Sequence, residues 1–158
     1  MVAKLEELPA RVLCLATNDA RQLLAVGLEN ENSDTPQSDI RLFHWKTLES
    51  GELLISSVGR VTTSNANVRS ISFSADGTHF AAAGDGPLTP WIWNAETLEV
   101  ADVAIPEGYI SKVCFSPTDP HQLALLIKQH DNPHGLGRVC IHDLNSMELG
   151  KPLFSHQQ

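Results

Sequence analysis

Val68-Arg69-Ser70-Ile71-Ser72-Phe73 runs into Ser74-Ala75-Asp76-Gly77, and Thr78-His79-Phe80-Ala81-Ala82-Ala83-Gly84 runs out of it. The first stretch alternates through Ile71 and Phe73, the period of a strand with one covered face. Ser74-Ala75-Asp76-Gly77 supplies a side chain able to bond its own backbone and a residue tolerant of positive φ, which is what a tight turn needs. A hairpin is therefore expected between Val68 and Gly84. Alanine is the best helix former, so Ala81-Ala82-Ala83 alone would also suit a helical turn. Gly77 before the run and Gly84, Gly86 and Pro87 after it confine it to less than an ordinary helix of about 11 residues. Small side chains instead suit a strand pressed between two neighbouring sheets. After the break at Gly84-Asp85-Gly86-Pro87, a third strand is expected over 89–94, carrying Trp91 and Trp93, and a fourth over 99–105 beyond the turn Ala95-Glu96-Thr97-Leu98.

The plan recurs upstream and downstream. Leu15, Phe73 and Phe115 align, each with an apolar residue two positions earlier (Leu13, Ile71, Val113), and Phe43, Trp93 and His142 align at the ends of runs of β-formers. Phe43, Trp93 and His142 follow one another at about 50 residues, near the period of about 40 to 45 for four-stranded propeller blades. Three all-β blades follow, over 10–58, 68–105 and 110–155, with 1–9 as a tail or a latch strand. Strands are expected over 11–16, 23–27, 40–45 and 53–58 in the first blade and over 110–116, 122–127, 138–143 and 151–155 in the third. Trp91 and Trp93 fall on one side of their strand, as Phe43 and Trp45 do in the first copy. An aromatic pair repeated at one offset points to blade-to-blade packing rather than a ligand platform.

These residues resemble WD-repeat β-propellers. Phe73-Ser74-Ala75-Asp76-Gly77 is similar to that family's strand-turn signature, and Phe115-Ser116-Pro117 to its proline-bearing version. Ile92-Trp93-Asn94 and Ile141-His142-Asp143 stand where the family has its Trp-Asp pair. The resemblance spans about Ala10 to Ser155 and is strongest in the middle copy. It departs from the pattern in lacking the Gly-His pair before the first strand, Gly108-Tyr109 being the nearest relic. Only Asp39 offers an acid before a third strand. The blades are therefore expected to rest on apolar packing more than on a buried His-Ser-Asp-Trp network.

Composition narrows the function classes. The chain has 158 residues, 42% of them hydrophobic, which fits an ordered domain with a core rather than a disordered chain. Net charge is −8, and Lys and Arg nowhere cluster, whereas phosphate contacts need a concentrated basic surface; no nucleic-acid partner is expected. No long apolar run occurs in residues 1–9, so neither a signal peptide nor a membrane anchor is expected there. Cys14, Cys114 and Cys140 sit on expected strands and read as small buried hydrophobes in a reducing cytoplasm or nucleus. Propellers close with about four to eight blades, so three leave two blade faces bare. Several apolar side chains on each, at about 1.5 to 3 kcal/mol apiece when buried, amount to the order of a whole domain's stability. Completion by further blades or by copies of the chain is expected.

Loops on a rigid scaffold usually carry recognition. In a four-stranded blade the loops joining strands two to three and four to the next one share a face. The insertions over 29–38 and 128–137 both belong there, with the connectors 59–67 and 106–109. Asp34, Arg60, Tyr109, His130, Asp131 and His134 are the residues expected to meet a protein or peptide partner. His130-Asp131-Asn132-Pro133-His134 contains zinc-ligand types, but a Pro- and Gly-bearing loop without cysteine is a poor cage, and no metal is expected. Gly84-Asp85-Gly86 is followed by no helix and no G-x-S-x-G occurs, so no cofactor and no catalytic residue is expected. The expected role is a non-enzymatic protein-interaction scaffold. The alternative is an assembly module whose blade faces complete a larger propeller, and a propeller enzyme ranks third.

Overall fold

The computed structural model describes residues 10–30, 34–64, 66–84, 91–101, 109–128 and 137–146, and the backbone of 152–154. Among these residues the chain is all-β. The first sheet contains β1 (Val12–Asn18), β2 (Leu23–Glu29), β3 (Ser38–Thr47) and β4 (Leu53–Thr62); the second contains β5 (Val68–Phe73), β6 (His79–Gly84) and β7 (Trp91–Asn94); the third contains β8 (Tyr109–Phe115), β9 (Gln122–Lys128), β10 (Arg138–Asp143) and β11 (Pro152–Phe154). Every strand pairs antiparallel with the next one in its sheet. The sheets contact one another through β1 and β2 on β5 and through β5 and β6 on β8. This is a partial β-propeller of three blades.

The alanine run shows why sequence and fold agree. Phe80 and Ala82 face the first blade and Ala81 and Ala83 the third, the period-two alternation of a strand. All three alanines are fully buried because sheets cover both sides of β6. The seam between blades one and two holds Leu23, Ala25, Ile40 and Leu42 against Ile71, Phe73, Phe80 and Trp93. Phe80 stacks on Trp93 with centroids 5.1 Å apart, and Trp91 stacks on Trp93 at 6.3 Å. Between blades two and three, Ala81, Ala83 and Ile92 meet Val113, Phe115, Leu123 and Leu125. Two serines stitch that seam. Ser70 Oγ donates to the Val113 carbonyl (3.2 Å) and accepts its N–H (3.3 Å), and Ser72 Oγ accepts from Phe115 N–H (2.9 Å).

The expected turn is present, with Gly77 at φ 69°. Asp76 Oδ1 accepts from Ser74 Oγ (2.7 Å), Thr78 N–H (3.0 Å) and Thr78 Oγ1 (2.7 Å). Partial burial pulls its carboxyl pKa upward, but those bonds and the nearby His79 outweigh it and hold the group at about 2.

Three expectations are corrected. Leu24 pairs with Thr17 and Phe43, as Phe80 pairs with Phe73 and Trp93, and Leu123 with Phe115 and His142. Thr17, not Leu15, is therefore the counterpart of Phe73 and Phe115, and Leu15 matches Ile71 and Val113. The first blade's outer face is not covered at that point, so no apolar residue marks it. Cys114, at the position of Ala16, is exposed and not buried as expected, because it lies on the third blade's outer face. β4 continues to Thr62, so Arg60 is a strand residue and not part of a connector. The fourth strand expected over 99–105 in the second blade is a separate matter: Val100 bridges Trp93 antiparallel, and 102–108 lie outside the described residues.

His142, at the position of Trp93, is 1% exposed, and neither ring nitrogen has a hydrogen-bond partner among the described residues. Burial lowers its pKa from the ordinary 6.5, only partly opposed by the charge of Asp143. The unfolded chain then binds a proton that the folded chain resists, so stability falls as pH drops below 6.5 toward the lowered folded value. His142→Phe removes two unmet polar atoms and is expected to stabilise by about 1 kcal/mol near neutrality. Denaturant titration on either side of pH 6.5 checks both effects: the variant's midpoint is higher and its pH slope shallower.

Candidate functional site on the loop face

The route from blade one to blade two is held by a buried polar latch. Ser38 N–H donates to Thr63 Oγ1 (3.0 Å), Thr63 N–H donates to the Ser38 carbonyl (2.8 Å), and Ser38 Oγ accepts from Val68 N–H (2.9 Å). The Thr63 hydroxyl also lies 3.1 Å from the Ala66 carbonyl. Ser38 and Thr63 are 0% and 1% exposed. Short hydroxyl side chains at strand ends are suited to this, because each can satisfy a backbone group that the ladder leaves over. Ser38→Ala orphans the buried Val68 N–H and is expected to cost about 1–2 kcal/mol; the fall in the urea midpoint measures it.

Above the latch opens a cleft of about 320 Å³, lined by Glu29, Asn30, Asp34, Thr35, Pro36, Gln37 and Asn67. Its walls come from the β2–β3 loop of blade one and from the segment that enters β5 of blade two. Asn30 N–H bonds the Gln37 carbonyl (3.0 Å), which closes the base of the loop. Glu29 lies 3.9 Å from the exposed Arg11, a weak surface pair, and the same strand end is tied by Glu29 N–H to the Arg11 carbonyl at 2.9 Å. The lining therefore offers two carboxylates, amides and a hydroxyl on a fixed backbone. Such a set makes hydrogen bonds and charge contacts to a polar chain segment.

Of the residues expected to form the site, Asp34 is exposed and lines this cleft. Arg60 does not line it. Arg60 stands on β4, 69% exposed, 3.9 Å from Asp39, whose other carboxylate oxygen accepts from Thr62 Oγ1 at 2.8 Å. Tyr109 opens β8, half-buried, paired with Lys128. His130, Asp131 and His134 lie outside the described residues. Asn67, Ser38 and Thr63 were not singled out in the sequence, since no local pattern links positions so far apart along the chain.

A second groove, of about 250 Å³, opens on the opposite face along the same seam, lined by Arg21, Leu23, His44, Val58, Ala95 and Glu96. There Asn18 spans the blades, its Nδ2 donating to the Ser74 carbonyl (3.0 Å) while its Oδ1 accepts from Arg21 N–H (2.9 Å). Cys14, inside the seam, is held in its thiol form: burial raises its pKa to about 11, against the smaller pulls of Arg69 and of Gly27 N–H. Among the described residues no three His, Cys, Asp or Glu side chains gather as metal ligands.

No protein-family model matches the chain, and no curated protein matches it. Among solved structures it is similar to the β-propeller domain of Cps50 (Swd1) from Myceliophteria thermophila, at 16% identity and a TM-score of 0.60. The match covers 73% of this chain and 35% of that one, so the chain spans about a third of that propeller domain. Identity that low shows the fold alone.

Proposed function

We propose that this chain is a WD-repeat-type propeller segment that works without catalysis, docking a protein or peptide through the loop face of its first two blades. The observation that carries this reading is the cleft holding Asp34, built on the Ser38–Thr63 latch. The described ends of that loop are joined at its base and seated on buried hydrogen bonds, so contacts made to them are not spent on ordering them. The net charge of −8 favours a partner that is not itself strongly acidic. Three unpaired cysteines fit work inside the cell, in the cytoplasm or nucleus.

The test is selection of a displayed random-peptide library on the chain, followed by titration of the selected peptides against variants. Asp34→Arg and Asn67→Ala are expected to weaken binding at least tenfold, while a control at Glu96, in the opposite groove, leaves it unchanged. No enriched peptide, or peptides that bind the Asp34→Arg and Asn67→Ala chains as well as the original, would overturn the proposal.

A further inference from the structure

The groove on the face opposite the Asp34 cleft lies in the seam between blades one and two, and its lining carries both signs of charge. The floor is apolar, with Leu23 and Ala95 buried and Val58 half-buried. Around it stand three exposed polar groups, Arg21 and His44 from blade one and Glu96 from blade two. Its volume of about 250 Å³ falls below the range of about 300–1,000 Å³ for drug-sized sites, which points to a small ligand.

The two charged groups stand on fixed backbone. Arg21 N–H donates to Asn18 Oδ1 (2.9 Å), and the same side-chain amide reaches blade two through Asn18 Nδ2 and the Ser74 carbonyl (3.0 Å). The Arg21 stem lies against Gly77, where a Cβ would stand 2.9 Å from Arg21 Cδ and 3.0 Å from its Cγ. A glycine in that turn thus lets the arginine lie across the seam. Glu96 sits in an Asx turn, its N–H and that of Thr97 both donating to Asn94 Oδ1 (2.8 and 3.0 Å). Among the described residues no ion pair joins Arg21 to Glu96, or either of them to another charge. Two opposite charges therefore border one groove without neutralising each other.

We propose that this groove binds a small zwitterion, a free α-amino acid with an apolar side chain. The Arg21 guanidinium takes the α-carboxylate, since its fork of donors matches two carboxylate oxygens, and His44 adds a further hydrogen-bonding group beside it. Glu96 takes the α-ammonium. The side chain covers Leu23, Val58 and Ala95 and removes apolar surface from water. A zwitterion is neutral overall, so the net charge of −8 does not oppose its approach as it would that of a simple carboxylate. The interior of a peptide carries neither α-charge, so this site is separate from the docking proposed for the Asp34 cleft.

Titration of the full chain with L-leucine, followed by NMR, is the test. The methyl resonances of Leu23, Val58 and Ala95 are expected to shift saturably, while that of Thr35, in the opposite cleft, stays in place. N-acetyl-leucine lacks the ammonium, leucinamide the carboxylate and glycine the side chain; each is expected to bind at least tenfold more weakly. Arg21→Met keeps a stem across Gly77 without the charge, and Glu96→Gln keeps the shape of the carboxylate. Each is expected to weaken leucine binding at least tenfold, because the opposing ligand charge is left without its partner. Both positions are exposed, and the ligand series on the unaltered chain decides the matter even where a variant fails to fold. Leucine that gives no saturable shift, N-acetyl-leucine or leucinamide that binds as well as leucine, or folded variants that bind leucine undiminished would each refute the zwitterion site.

Discussion

Trp93→Ala is expected to lower stability by about 3–5 kcal/mol, the range for emptying a buried large aromatic site. Trp93 is 3% exposed and lies between Phe80 and Trp91, both within stacking distance, in the seam that joins blades one and two. Its neighbours across the seam are backbone-fixed strand residues, Leu23 and Leu42 among them, which cannot close in on the void. Truncation thus removes the transfer energy of the ring and leaves a cavity in addition. Urea denaturation followed by the remaining tryptophans measures the loss. A change below about 1 kcal/mol, the size usual for ordinary surface and mild substitutions, would show that the seam does not hold the first two blades together.

Gly84→Ala is the second large effect, expected at about 3 kcal/mol, the upper end for overpacking. A Cβ on Gly84 would run into the carbonyl oxygen of Asn67 and lie 2.8 Å from its carbonyl carbon and 3.1 Å from the Val68 Cα. All three are backbone atoms, so no side-chain rotation relieves the contact. The strand would have to move away from Val68, its ladder partner. Because Asn67 lines the loop-face cleft, the same substitution is expected to weaken peptide binding as well. Gly137→Ala is the comparison: its nearest neighbour is the movable Leu126 Cδ1 at 3.2 Å, and a much smaller loss should be measured there.

The middle repeat was legible because every local signal in it agrees. The alternation through Ile71 and Phe73, the Asp76-Gly77 turn, the alanine run and the two tryptophans each point to one hairpin-rich blade. The first repeat was misread by two residues because Leu13 and Leu15 look like the covered residues of the other copies. Leu15 faces outward on an end blade, where covering does not discipline the pattern, and only the ladder through Leu24 reveals the true register. The candidate site divides in the same way. Asp34 could be named from its place in a long loop of predictable direction, whereas Asn67 joins it only because β5 begins beside the β2–β3 loop.

Alternation and turn chemistry are local, so the chain's own residues determined the all-β class and the three antiparallel blades. Tertiary structure alone decided which polar residues became internal fasteners, as with Ser38, Thr63 and Ser72, and which apolar ones stayed in water, as with Leu15. Covering is a property of neighbours in space, and a residue's own type does not record whether a neighbouring sheet arrives.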